Sequence, residues 1–215
     1  VLDNGATYRF HLRRGVPFQK TDWFTPTRKM NADDVVFTFQ RIFDRNNPWH
    51  NVNGSTFPYF DSLQFADNVK SVRKLDNHTV EFRLAQPDAS FLWHLATHYA
   101  SVMSAEYARK LEKEDRQEQL DRQPVGTGPY KFVSYTPGQS IQLARYDGYW
   151  GGAAYLDSAE FKIVADMETA FMELQAGTID VLNYLTADQV SALGDQFNIV
   201  EGSMHLVHAM FLNND

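Results

Sequence analysis

Apolar and polar residues alternate from Thr7 to Arg13, with Tyr8, Phe10 and Leu12 on one side and Thr7, Arg9, His11 and Arg13 on the other. That period of two predicts a half-buried strand. From Gly15 to Met30 the periodicity lapses among Pro17, Trp23 and Pro26, which reads as loop. A helix follows, with Asn31 as N-cap, Asp34 three residues on, and Met30 placed to staple onto Val35. Its apolar stripe is Val35, Val36, Phe39, Ile42 and Phe43, and Asn46-Asn47-Pro48 ends it. Trp49 to Tyr59, rich in Asn, Gly and aromatics, reads as a loop carrying Phe57 and Tyr59, with Phe60 just beyond.

Val69–Leu75 and Thr79–Leu84 predict two strands joined by a turn at Asp76-Asn77-His78. Ser90 to Thr97 reads as a short apolar helix. Ser104 caps another helix that runs into 109–122, where opposite charges at helical spacing indicate a solvated face. The next pair of strands, Tyr130–Tyr135 and Ile141–Arg145, is linked by Thr136-Pro137-Gly138, whose Pro and Gly suit a type II turn. Beyond it the pattern predicts alternating β and α: strands at Glu160–Val164, Ile179–Leu182, Asn198–Val200 and Leu206–Leu212. Asp166 caps one intervening helix, which Gly177 closes, and a Thr186/Gln189 capping box with a Leu185/Val190 staple starts the other. That order implies a mixed or parallel sheet with helices packed on it, hence an α/β (α+β) fold with a division near Pro124-Val125.

The 215 residues are enough to bury a sizeable core, and 43% apolar with 22% charged residues is ordinary for a soluble globular chain. A net charge of −7 with no basic stripe argues against nucleic acid as a partner. No apolar run approaches the roughly 18 residues of a membrane helix. With no cysteine, disulfides, thiolate nucleophiles and Cys-based metal sites are excluded. The sequence opens on Val1 without Met or a leader, and Leu2-Asp3-Asn4-Gly5 reads as a hairpin turn lacking its preceding strand, so a piece of a longer protein is expected.

The most informative words are Gly126-Thr127-Gly128-Pro129-Tyr130, which predict a strand starting at a close backbone crossing, and Asp147-Gly148-Tyr149-Trp150 after the hairpin. With Thr7–Arg13, Asn31-Ala32-Asp33-Asp34-Val35-Val36-Phe37 through Arg41, Asn77–Leu84 with Pro87, and Leu174-Gln175-Ala176-Gly177 with Ile179-Asp180, they resemble the large periplasmic substrate-binding proteins of peptide and nickel ABC importers. Up to Tyr130 the wording is most similar to the peptide-binding component of Sap-type importers; beyond it the chain is similar to a more generic member. The resemblance implies a periplasmic binding protein type II-like lobe with a mixed sheet, plus a small α+β extra domain. Residues 1–125 would be most of that extra domain and 126–215 part of the first ligand-binding lobe. It further implies a periplasmic carrier without catalysis or cofactor that captures short or antimicrobial peptides by lobe closure and delivers them to an inner-membrane ABC permease. The competing readings are a non-binding structural fragment or engineered hybrid of such a protein, and a hydrolase. Strands left unpaired would pair between two copies as a homodimer.

The resemblance also supplies the candidate ligand-binding residues: Phe57 and Tyr59 on an aromatic loop reaching towards the ligand, and Asn213 in a crossing segment beside the cleft. Packing between domains explains the aromatics equally well, and a turn explains Asn213 equally well. Gly126 and Gly128 are not a phosphate loop, since Lys131 stands where a third glycine belongs and no helix follows. His94/His98 and His205/His208 have spacings that invite a shared metal, but no His-Glu-x-x-His accompanies them and packed or surface histidines suffice. Asp33 and Asp34 sit in the first turn of a helix, where capping and the helix dipole explain them without catalysis. No activated nucleophile can be assembled by spacing.

Overall fold

The computed structural model describes residues 1–54 and 56–202. By contacts the chain divides into two compact units, Val1–Phe161 and the stretch from Lys162 onward. In the first unit, strand β1 (Thr7–His11) follows a tight turn in which Asp3 and Asn4 both take positive φ and Leu2 bridges Thr7. Helix α1 (Ala32–Phe43) starts where the sequence places it. The Asn31 side chain accepts from Asp33 N, and the Asp34 carboxylate accepts from Asn31 N at 2.9 Å, which closes the capping box.

The stretch expected as loop over Trp49–Tyr59 instead winds into a 3₁₀ segment, Pro48–Gly54, and enters α2 (Pro58–Ser62). Pro58 accounts for the second of these, because its fixed φ suits a first helical position. Helix α3 (Phe65–Asn68) leads into β2 (Val69–Asp76) and β3 (Thr79–Leu84). The sheet order is β1-β3-β2, antiparallel throughout, with Phe82 opposite both Tyr8 and Val72. On its inner face Tyr8, Val72, Val80, Phe82 and Leu84 pack against Val35, Phe39 and Ile42 of α1 and against Phe60, Phe65 and Phe91. Phe91 opens α4 (Phe91–Leu95).

A second cluster gathers Phe18, Phe24, Trp49 and Val125 around Tyr107 and Leu111 of α5 (Ala105–Lys113) and Leu120 of α6 (Gln119–Arg122). The single helix expected to run through 109–122 breaks after Lys113. Asp115 adopts φ 54° and Arg116 N turns back to Leu111 O at 2.9 Å, ending α5 without a glycine. Helices α1 and α5 meet at Asp34. This fully buried carboxylate takes both Arg28 Nη groups at 2.7 Å and caps Ala105 N at 2.8 Å as well as Asn31 N. Every lone-pair direction has a donor, the condition under which a buried charge is tolerable.

Beyond Val125, β4 (Tyr130–Thr136) and β5 (Ser140–Arg145) form the expected hairpin, with Gly138 at φ 71° and Gln139 N bonded to Thr136 O at 3.0 Å, a type II arrangement. β6 (Ser158–Lys162), two residues earlier than expected, completes a second sheet of order β4-β5-β6.

The second unit holds α7 (Met167–Gln175), capped by Asp166 through Thr169 N, and α8 (Ala187–Leu193), with its Thr186/Gln189 capping box. A bond from the Thr169 hydroxyl at 2.7 Å, reinforced by the one from Thr169 N, holds the Asp166 carboxyl below its ordinary value. The strands expected at Ile179–Leu182 and Asn198–Val200 are not formed. Ile179, Leu182 and Leu185 are spent instead on a small core with Phe171, Leu174 and Leu193. Leu206–Leu212 lies outside the described residues. No alternating β-α-β sheet is therefore seen after β6 among the described residues, and the three pairings β1–β3, β2–β3 and β4–β5 are antiparallel. The chain is a mixed α/β fold with two small sheets.

Candidate functional site

Gly126–Tyr130, which leads from the second core cluster into β4, is held by one side chain from the loop after β1. Gln19 is buried. Its amide nitrogen donates to Gly128 O at 3.0 Å and Tyr130 O at 2.7 Å, and its amide oxygen accepts from Gly126 N at 3.2 Å. Gln19 N adds a bond to Gly126 O at 2.9 Å. The glycines were expected to serve a steric crossing and a restricted φ; the geometry assigns a different role. Neither Gly126 nor Gly128 has positive φ, and a Cβ at Gly128 would meet nothing within 4 Å. What the segment offers is bare backbone for Gln19 to pair with. The same seam is fastened by Tyr146 OH donating to Phe18 O (3.3 Å), by Trp23 edge-on to Phe132 (6.2 Å) and by Arg13 over the Trp150 ring (4.6 Å).

The two aromatic candidates lie on opposite sides of α2's first turn, both half-buried. Phe57 is covered by the Arg41 guanidinium at 5.3 Å and by His50 at 5.3 Å. Tyr59 stacks on Tyr99 (4.5 Å, 15° between planes), and its OH meets His94 Nδ1 at 3.2 Å. Each also packs against the first core, so the structure places them as partly exposed wall, not as free loop tips. It does not bring them together in one pocket. Tyr99, stacked on Tyr59, is itself exposed, as are Leu92 and Trp93 of α4, Trp93 by 77%. Asn213 lies outside the described residues.

His94 and His98 do not share a helix: α4 ends at Leu95, and His98 begins a separate 3₁₀ turn. Both His94 nitrogens are already engaged, Nδ1 by Tyr59 and Nε2 by Ser90 Oγ at 2.8 Å. Ser90 Oγ spends its one hydrogen on Asp88 at 2.6 Å, so it accepts from His94, and the bond to Asp88 holds that carboxyl below its ordinary value. The chain Asp88–Ser90–His94–Tyr59 thus fixes the ring of Tyr59. Sequence reasoning missed it, although Asp-x-Ser-x-x-x-His on a helix start was there to be read. Among the described residues no group of three or more His, Cys, Asp or Glu gathers to hold a metal ion. His205 and His208 lie outside them. Asp33 pairs with Lys74 at 3.0 Å, which together with the Asp34 cap accounts for both acids structurally. Among the described residues no helix is long and apolar enough to cross a membrane.

Comparison with known proteins places this geometry. Residues 1–215 match the family described as bacterial extracellular solute-binding proteins, family 5 Middle. The chain is 75% identical over 195 residues to the probable ABC transporter periplasmic-binding protein SapA of Escherichia coli K12, covering 91% of this chain and 36% of that protein. It is 47% identical over 182 residues to heme-binding protein A of Haemophilus influenzae, covering 85% of this chain and 33% of that protein. Its fold matches the crystal structure of a dipeptide binding protein from Pseudoalteromonas sp. SM9913 in complex with Met-Leu, with TM-score 0.87, 34% identity, and 91% and 38% of the two chains covered. The chain spans about a third of the length of the relatives it matches. Its mixed sheets and helices are of the periplasmic binding protein type II-like class. The chain belongs to the family 5 bacterial extracellular solute-binding proteins.

Proposed function

We propose that this chain is part of the peptide-capturing component of an ABC importer, of the SapA kind, working in the periplasm and handing short or antimicrobial peptides to an inner-membrane permease. The observation that carries this reading is the 0.87 TM-score match to a dipeptide binding protein holding Met-Leu, joined to the 75% identity with SapA. Such a carrier performs no chemical step. It works because a ligand that touches two lobes binds the closed state better than the open one. In this reading residues 1–125 are the small extra domain and 126–215 a part of the first lobe. Phe57 and Tyr59 belong to the wall that faces the peptide, and Asn213 lies beside the cleft. The net charge of −7 favours cationic peptides weakly, since screening limits surface charge to short range. Pairing between copies through the outer strands β1 and β2, or β4 and β6, belongs to the same proposal and is read by light scattering.

The test is calorimetric titration of the full-length protein that carries this segment with di-, tri- and longer cationic peptides, alongside thermal melts. Bound peptide raises the melting temperature, and Tyr59→Ala weakens binding. No heat and no melting shift with any peptide overturns the reading. Haem capture is a second reading, favoured by the 47% identity to heme-binding protein A. A haemin titration that shifts the Soret band while peptides stay silent would select it.

A further inference from the structure

The sheet β1-β3-β2 turns its apolar side to the core; its other side carries a charge arrangement that peptide capture does not use. Glu81 sits at the centre of β3, with Arg9 on β1 and Arg73 on β2 directly opposite it in register. Arg83 lies two residues along β3, on the same face. All three guanidinium groups bond the one carboxylate: Arg9 Nη2 at 2.9 Å to Oε2, Arg73 Nη2 at 2.5 Å and Arg83 Nε at 3.0 Å to Oε1. Glu81's side chain is 2% exposed, while those of Arg9, Arg73 and Arg83 are 42%, 49% and 52% exposed. Towards the ends of this face lie two further carboxylates, Asp3, which accepts from Thr7, and Asp76, opposite Thr79, which accepts from His78 N, while Thr79 is bonded to His11.

Within the cluster itself, one carboxylate shared by three permanent cations leaves two positive charges in excess, on a chain whose net charge is −7. Each guanidinium has five N–H donors in a planar fork and gives Glu81 only one or two. The outer donors are left in solvent, on side chains already ordered by the buried acid beneath them. Strands about 4.8 Å apart set the heads within reach of one multi-oxygen anion, and forked donors are the preferred partners of phosphate oxygens. We propose that this face is an anion site that takes a phosphate group between Arg9, Arg73 and Arg83, with Glu81 as the buried acid that holds the three in place. Free phosphate and the phosphate of an anionic lipid headgroup present the same chemistry.

The experiment follows arginine Nε–H resonances of the full chain at low ionic strength while inorganic phosphate is added, and in parallel measures co-sedimentation with phosphatidylglycerol and phosphatidylcholine vesicles. The expected result is saturable shifts of the three arginines, with affinity for phosphate falling about tenfold in Arg83→Gln as one charged fork is lost. Phosphatidylglycerol binding that Arg83→Gln abolishes, with no response to free phosphate, assigns the lipid source and equally supports the site. Arg83→Gln leaves Glu81 bonded to Arg9 and Arg73, and Arg9→Gln carries the same test should that variant not fold. Absence of response in both arms, or binding that both variants leave unchanged, overturns the proposal.

Discussion

Two three-stranded sheets in the first unit end in opposite conditions. In β1-β3-β2, five of the six residues of β3 are buried, and even the outward-facing Glu81 is 1% exposed beneath its arginines. In β4-β5-β6 no residue is buried, and Val133, Tyr135 and Phe161 stand open. The first sheet therefore has its apolar face covered by neighbours within this chain, and Glu81 is buried on the other. The second depends on its ladder and on the seam at Gln19. Strand content alone does not reveal where stability resides; what covers each face does.

The comparison is broken most directly by matched truncations. Phe82→Ala should cost about 4 kcal/mol, because it opens a cavity among Phe10, Phe39 and Phe91 in the first core. Phe161→Ala, half in solvent, should cost no more than about 0.5 kcal/mol. Urea denaturation of the two variants checks this, and equal losses would refute the contrast.

Asp34→Ala comes next, at about 3 kcal/mol, since it strands Arg28 and leaves Ala105 N and Asn31 N without their acceptor. Its loss should spread through α1 and α5 and spare the β4–β5 amides in hydrogen exchange. Gln19→Ala should cost about 2 kcal/mol and act in the opposite direction, loosening β4 while the first core keeps its protection.

The last effect is electrostatic. Hydrogen bonds from Arg9, then Arg73, hold Glu81 down at about 2 against an ordinary 4.5. A depressed folded value means the stabilisation is fully present above about 4.5 and fades as pH falls towards 2. Melts across that window should show the decline, and Glu81→Gln should flatten its share of it.

Much of the local structure was legible. Asn31 with Asp34, Thr186 with Gln189, Asp166, and Pro137-Gly138 each carry their geometry in two or three adjacent residues, and the elements appear there. What failed depended on distance. Asp34 reads as a helix cap, yet its other oxygen serves a residue 71 positions away. Glu81 reads as an outward strand position, and only the stems of three arginines from three strands bury it. Ile179 and Leu182 have strand-like composition, but a nearby helix pair claims them for packing. The family was legible from its words. The reason for Gly126 and Gly128 was not, because Gln19, which makes sense of them, lies more than a hundred residues earlier.

That separation has a kinetic consequence. The bonds from Gln19 span 107 to 111 positions, so the start of β4 cannot be fixed by its own neighbourhood and must wait for a large loop to close. On a ribosome, Phe18 and Gln19 emerge long before their partners, and the early portion can organise around α1 and the Phe82 strand while the anchor stands ready. The hairpin that follows would then dock last, onto a ready-made receptor, and a chain lacking Gln19 should reach its final state through a slower closing phase.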